Sequence, residues 1–537
     1  FFTEKAGTFN LTSEALYKNY DADKYNTMLT NEVIWNSNSK TTKNGFVNTV
    51  EGRLKNTNYK ARKTTDHKTD GEVSELRSVL SYKSSLPLKK DGIGFTKIFS
   101  PNFMLRYAPG HMSKLTKEDT ILNYTNIKSL KFMNKLKVQY GGTVHGKAEI
   151  DAVVKVLKTS TQLGKHVKLF ESKVSKLFSK KYSVMTNSGS SAMFLIIDKF
   201  DFPKNSEIIT PILTYSTTIT AIIKNGLIPS FVDVDLNTLC IDVDKIEKSI
   251  TKKTKAILAI NLMGNIADWI KIKKIAKKYN LAVIEDSADT IGAKINNKST
   301  GYYTDASMTS FYGSHVINGA GNGGMASVNS KDLYTKIKVA RSWGRNSTIF
   351  DEKAEKIENR FNVKIGNVTY DRKFVFSDIG YNFEPSEISA AFALVQLKSL
   401  KKNLNKRIAI FKKHQKFFSK YKRYFILPKQ HKSIYSGWLA YPLIVKNGVN
   451  FSRTDLQIFL EKKGIQTRVI FTGNILKQPG FLKIKRKLSP FGYKNTDLIH
   501  KNGLIISLFN GLSEKQLKHM YSAFDLFIHN HERLIKK

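Results

Sequence analysis

The chain has 537 residues, a single cysteine and a formal net charge of +44. One cysteine excludes an internal disulfide framework and any multi-cysteine metal or iron–sulfur site. No apolar run approaches the roughly 20 residues of a membrane-spanning helix. The basic residues are mostly lysines spread along the chain, the pattern of solvated faces and not of a nucleic-acid site, with attraction of an anionic ligand as a secondary benefit. The chain opens on Phe1 without a basic-then-apolar leader, so it reads as missing its true N-terminus or as an internal fragment.

Composition divides the chain near residue 130. Residues 1–130 are rich in Thr, Asn, Lys and Ser. They alternate polar and apolar residues in short runs, as in LSYKSSLPL (80–88) and NFMLRYAPG (102–110). Period-two alternation between turn residues predicts antiparallel strands. From about 131 to 385 the pattern changes. EIDAVVKVL (149–157) sets Ile150, Val153, Val154 and Leu157 on one helical stripe. EIITPI (207–212), FVDVD (231–235), AILAIN (256–261) and AVIED (282–286) read as buried strands, with helices such as ADWIKIKKIAKKYN (267–280) between them. That alternation predicts an α/β domain whose mainly parallel sheet is covered on both faces, with ligands beyond the carboxyl ends of the strands. Residues 386–537, with a long helix over 386–420, read as a smaller α+β domain.

Three segments carry chemistry. TNSGSSA (186–192) lies between a strand and a helix, where small residues let backbone N–H groups approach an anion. Gly-Ser turns are common, so this signal alone is weak. VIEDSAD (283–289) ends a buried strand on Asp286, which can reach a ligand or simply cap a helix. SMTSFYGSHVINGAGNGG (307–324) ends a strand in a glycine-rich turn, with Ser310 and His315 five apart. A lone histidine is more often structural than catalytic.

Order and context link the three. From about 138 to 530, YGGTVHGKAEIDAVVKVL, TNSGSSA, TPILTYSTT, VIEDSADTIGA, TSFYGSH, GNGGM and GYNFEPSEISAA resemble the DegT-type sugar aminotransferase family. The resemblance implies fold type I of the pyridoxal-phosphate enzymes. It implies Gly189, Ser190, Ser191 and Ser310 around the cofactor phosphate and Tyr215 on the cofactor ring. Asp286 matches the partner of the pyridine nitrogen. Asn382 matches an asparagine that reaches the neighbouring subunit's phosphate, which implies a homodimer.

One departure sharpens the expectation. The lysine that carries the cofactor covalently in the family is replaced here by His315, and no lysine occurs between Lys298 and Lys331. A chain without that amine can hold pyridoxamine phosphate non-covalently, with His315 moving a proton at the cofactor carbon. RSWGRN (341–346), KFVFSDIGYN (373–382), GIQTRVIFTGNILKQPGF (464–481) and Asp289 resemble the keto-sugar 3-dehydratase branch. NSTIFDEKAEKIENRF (346–361) lacks the cysteines that hold a 2Fe–2S centre in the CDP-sugar members. The chain therefore resembles the cluster-free GDP-4-keto-6-deoxymannose 3-dehydratase type. The implied reaction removes the carbon-3 hydroxyl of a nucleotide-linked 4-keto-6-deoxyhexose for dideoxysugar and surface-polysaccharide synthesis. Pyridoxamine or pyridoxal phosphate is the implied cofactor, and glutamate would restore the amine. Arg468 is the candidate for binding a carboxylate or phosphate, its plain alternative being a surface or inter-domain salt bridge. Residues 131–537 are expected in the cytoplasm.

Residues 1–130 resemble a fragment of the LPS-assembly outer-membrane β-barrel protein, through FSPNFMLRYAPGHMSKL (99–115) and ILNYTNIKSL (121–130). So short a segment cannot supply a barrel, and a fused, truncated or mis-assembled reading frame without function here is the expectation. The rival readings are a sugar aminotransferase with an unusual base and a non-catalytic outer-membrane or binding protein.

Overall fold

The period-two alternation of the first segment becomes five long strands: β1 (Gly7–Asp21), β2 (Lys24–Asn36), β3 (Val47–Arg62), β4 (Gly71–Ser85) and β5 (Asn102–Tyr107). They pair antiparallel in chain order. In this computed structural model the chain forms two units, residues 1–133 and 134–537. The structure describes residues 2–107 with short gaps, 136–350 and 357–535. The motif ILNYTNIKSL and part of the 346–361 stretch lie outside the described residues.

The second unit opens with α1 (Lys147–Leu157) and α2 (Lys165–Leu177). Strands and helices then alternate as the apolar runs predict: β6 (Tyr182–Thr186), α3 (Gly189–Lys199), β7 (Glu207–Pro211), α4 (Ser216–Lys224), β8 (Ile228–Val232), β9 (Thr254–Ile260), α5 (Trp269–Tyr279), β10 (Ala282–Ser287) and β11 (Ala306–Ser310). β12 (Gly324–Val328) and α6 (Lys331–Arg341) follow. The sheet order is β6-β12-β11-β10-β9-β7-β8. β7 to β11 run parallel, and β12 is antiparallel to both its neighbours. The strands are buried almost throughout, which explains continuous apolar runs without alternation.

Two sequence expectations change here. The helix expected over 386–420 is two helices, α7 (Glu387–Lys398) and α8 (Leu400–Phe418), because Ser399 leaves helical geometry at φ −93°, ψ 1°. The stripe on α1 also faces outward: Ile150, Val154 and Leu157 are 53%, 41% and 59% exposed, and Glu149 and Val156 are the residues buried. Period alone fixed the stripe but not which side of the helix its neighbour α7 covers.

The last part adds short β13 (Phe425–Ile426), β14 (Ala440–Val445), α9 (Arg453–Lys462), β15 (Arg468–Val469), α10 (Lys494–Asn502), β16 (Gly503–Ser507) and α11 (Glu514–Ile535). Its antiparallel sheet runs β13-β14-β16-β15. One apolar core joins both sheets, with Ile208, Phe231 and Leu258 from the first and Tyr441, Leu456 and Ile506 from the second part. Within that core lies His414 on α8. Its Nε2 lies 3.0 Å from the Ser507 carbonyl and its Nδ1 2.8 Å from the Tyr521 hydroxyl. Burial pushes its pKa down to about 4. The unfolded histidine titrates near 6.5, so the unfolded chain binds more protons between those values. Stability is then full above pH 6.5 and falls by about 3 kcal/mol as pH drops to 4. Chemical denaturation across that range should show a smaller loss in His414→Gln than in the native chain.

Candidate active site

Parallel strands deliver their carboxyl ends to one edge, and the first strand–helix turn there is built to hold an anion. β6 ends at Thr186 and α3 starts at Gly189. Ser188 caps α3 by accepting the Ser191 N–H at 3.1 Å. The N–H groups of Gly189 and Ser190 have no protein partner among the described residues, and they lie at the positive end of an eleven-residue helix. A Cβ on Gly189 would stand 2.8 Å from the Ser310 Cβ, and one on Gly324 would stand 2.2 Å from the Ser188 carbonyl oxygen. Both glycines let β11, β12 and α3 converge. Gly189→Ala should weaken phosphate-ligand binding at least tenfold, because the tight Ser310 contact must open; fluorescence titration with pyridoxal phosphate reads this directly.

Asp286 is the penultimate residue of β10 and is buried. Its Oδ2 accepts the Thr218 hydroxyl at 2.7 Å and its Oδ1 accepts the Ala288 N–H at 3.1 Å. Its neighbour Glu285 is also buried, yet fully served by Asn261, Ser287 and Ser307 at 2.6–2.8 Å. The two carboxylates differ in what they lack. Asp286 has no cation beside it among the described residues, and burial raises its pKa. A buried carboxylate in that state is suited to a cationic ring nitrogen.

His315 follows in the turn after β11. Its Nδ1 lies 3.1 Å from the Ser310 carbonyl oxygen. A carbonyl only accepts, so Nδ1 carries the hydrogen and Nε2 is the basic nitrogen. Burial pushes the imidazole down to about 4, with the Arg407 guanidinium adding to the effect, so it is neutral at pH 7. Arg407 is wholly buried on α8. Its Nη1 donates to the carbonyls of Trp438, Leu439 and Leu508 at 3.0–3.3 Å, and no carboxylate among the described residues answers it.

These groups open onto one cavity of about 770 Å³. Gly189, Ser190, Tyr215, Asp286, Asp289 and Ser310 line it, as do His315 and Arg468. Tyr215 stands at the mouth, 56% exposed, its ring centre 6.0 Å from that of Phe471 in an edge-to-face arrangement. Asp289 is buried, accepts the Met263 N–H at 2.9 Å and is pushed up to about 7 by burial. Arg468 sits at the rim, 4.0 Å from Glu461, with its guanidinium 5.7 Å from the Tyr140 ring centre.

Two expected residues lie elsewhere. Ser191 does not line the cavity. Its hydroxyl donates to Asn187 at 2.7 Å and its N–H is taken by Ser188. Asn382 is exposed outside the cavity, on a segment whose Phe383 carbonyl accepts the Asn187 N–H at 3.0 Å.

Sequence reasoning missed Ser188, Thr218 and Tyr140. Thr218 sits one helical turn beyond Tyr215, a spacing that could have marked it. Tyr140 arrives by a long-range contact. Val138 pairs with Ile465 through bonds to Gly464 and Gln466 of 2.9 Å each, and Gln466 accepts the Tyr140 N–H.

The donor set fits pyridoxal or pyridoxamine phosphate at both ends: free N–H groups and hydroxyls at the α3 turn, and an uncompensated acid at Asp286. The sequence profile of the DegT/DnrJ/EryC1/StrS aminotransferase family matches residues 144–525. The chain belongs to that family. It is 31% identical over 397 residues to the lipopolysaccharide biosynthesis protein RfbH of Salmonella typhimurium, covering 72% of this chain and 90% of that one. It is 31% identical over 405 residues to the GDP-4-keto-6-deoxy-D-mannose 3-dehydratase of Yersinia pseudotuberculosis, covering 73% and 99%. Among solved structures, a GDP-4-keto-6-deoxymannose-3-dehydratase with a trapped PLP–glutamate geminal diamine superposes with a TM-score of 0.65 at 28% identity, over 72% of this chain and 99% of that one. The fold is therefore fold type I of the pyridoxal-phosphate enzymes. The profile begins after residue 143, so the N-terminal unit lies outside it.

Proposed function

We propose that residues 134–537 form a pyridoxamine-phosphate-dependent 3-dehydratase acting on a nucleotide-linked 4-keto-6-deoxyhexose. The carrying observation is His315 at the end of the β11 turn, neutral, with its Nδ1 hydrogen held by the Ser310 carbonyl. The full-length match to a 3-dehydratase and the related solved structure support it. When bound, the cofactor supplies an amine for the sugar ketone and an electron sink that weakens the bond to the carbon-3 hydroxyl. The chain supplies the rest. The α3 turn and Ser310 hold the phosphate, Asp286 keeps the ring nitrogen protonated, and Tyr215 covers the ring. His315 Nε2 would take the proton from the cofactor carbon and, as the one imidazole lining the cavity among the described residues, would return it to the departing oxygen. Asp289, with a pKa near neutrality, can offer a hydrogen bond in its protonated form.

In this reading glutamate restores the amine. The enzyme works in the cytoplasm as a homodimer, in which the exposed Asn382 serves the neighbouring subunit's phosphate. The cofactor-binding body spans about 131–385 and the smaller domain 386–537. Arg468 binds an anionic part of the substrate. Arg468→Met should raise KM roughly tenfold with kcat nearly unchanged, the loss of one charge-assisted contact in ground and transition states alike. Borohydride treatment of the cofactor-loaded enzyme followed by peptide mass analysis tests the reading. No lysine-linked cofactor is expected. A lysine adduct would identify an aminotransferase that uses a lysine from elsewhere in the chain.

A further inference from the structure

The segment 138–143 joins two parts of the cavity wall that lie far apart in the chain. At one end Val138 pairs with Ile465, and the Gln466 side chain accepts the Tyr140 N–H at 3.1 Å. Gln466 stands two residues before Arg468 of β15, so this clamp fixes Tyr140 to the strand that carries the rim arginine. At the other end the Thr143 hydroxyl donates to the Gly313 carbonyl at 3.0 Å. A Cβ on Gly141 would stand 3.3 Å from the Ser314 Cβ, so the backbone beside Tyr140 packs on the turn that leads into His315. Tyr140 is thereby held between the Arg468 strand and the His315 turn, and all three residues line the same cavity.

The ring of Tyr140 is fixed and its hydroxyl is unused. The Arg468 guanidinium covers the ring at 5.7 Å from its centre. The hydroxyl makes no hydrogen bond with any described residue. Burial raises its pKa, with the Asp289 carboxylate adding to the effect, and the Arg407 and Arg468 cations offset this only in part. The phenol therefore keeps its proton at neutral pH and offers it as a donor. An enclosed tyrosine normally finds a partner for its O–H. Tyr140 is half-buried and lines the cavity, so that partner comes from what the cavity binds.

We propose that the Tyr140 hydroxyl donates a hydrogen bond to the carbon-3 oxygen of the bound sugar and holds that oxygen beside His315. The inference rests on the dehydratase reading and adds to it the residue that selects the leaving group. In that reaction the bond between carbon 3 and its oxygen breaks, and the electron pair leaves with the oxygen. The pair freed by proton removal at the cofactor carbon replaces it. The oxygen departs as water with the proton that His315 returns, and Tyr140 keeps its own proton throughout. A fixed donor aimed at the departing oxygen stabilises the charge that grows there. Carbon 3 is the position selected because its oxygen must come within reach of His315, and the Gly141–Ser314 contact sets Tyr140 beside that turn.

The test compares the full cofactor-loaded chain with its Tyr140→Phe variant, which keeps the ring under Arg468. Two quantities are read. One is kcat for forming the 3-deoxy-4-keto sugar. The other is the inhibition constant of that 3-deoxy product, which lacks the oxygen in question. The variant is expected to lose kcat on the order of a hundredfold, the range for removal of one preorganised donor. Its inhibition constant for the product should stay within about twofold of native. Its thermal midpoint should not move, because the hydroxyl has no protein partner among the described residues. A product affinity that falls as far as kcat would place the hydroxyl on another part of the ligand, and a lowered midpoint would make Tyr140 a structural residue. Either result overturns the proposal. A native chain that forms no 3-deoxy sugar overturns the dehydratase reading and the proposal with it, whereas native turnover matched by Tyr140→Phe overturns the proposal alone.

Discussion

Replacing His315 by asparagine is expected to lower dehydration at least a thousandfold while leaving cofactor affinity within about threefold, since general acid–base catalysis by a placed side chain is worth about 10² to 10⁴. The side chain that moves the proton is lost, whereas the phosphate turn and Asp286 are untouched. Asparagine keeps an amide near the Ser310 carbonyl, so the turn should hold. The pH profile carries a second signature. An ordinary histidine base loses activity as pH falls through 6.5. In this enclosed position the imidazole stays neutral down to about 4, so its acid limb should fall near pH 4 and not near 6.5. Single-turnover rates between pH 4 and 8 measure this, and an acid limb centred on 6.5 would show His315 to be well solvated.

The second large effect is expected at Asp286. Asp286→Asn keeps the size and the Thr218 contact but removes the charge that answers a cationic ring nitrogen. The rate should drop on the order of a hundredfold to a thousandfold, the range seen when one preorganised electrostatic partner is removed. Stability should move the other way or not at all, because the free protein carries this carboxylate buried and, among the described residues, without a cation. Thr218→Val is the milder companion, since it removes one of two hydrogen bonds to the same group. The thermal midpoint without cofactor and the rate with it separate the two effects. A fall in both would mean that Asp286 is a structural residue.

The parts of this site that lie within one strand–turn–helix segment were legible in the sequence. The Gly189–Ser190 turn, Asp286 at a strand end and Ser310 with His315 around one turn each sit within a few residues of a buried strand whose composition marks it. Contacts between segments were not legible. Ser188, and not Ser191, faces the cavity because the cap geometry turns Ser191 back onto Asn187. Tyr140 reaches the site only because Val138 pairs with Ile465, more than three hundred residues away. The outward stripe of α1 and the break at Ser399 depend on which neighbour covers a helix, which period does not encode.

The central claim is that this histidine-bearing site removes oxygen from carbon 3 and does not transfer nitrogen to carbon 4. The most direct measurement is product mass spectrometry. The full chain is incubated with pyridoxamine phosphate, glutamate and either GDP-4-keto-6-deoxymannose or CDP-4-keto-6-deoxyglucose, without an added reductant. A 3-deoxy-4-keto sugar is expected from one of the two nucleotides, and none with His315→Asn. A 4-amino sugar that keeps its carbon-3 oxygen would contradict it.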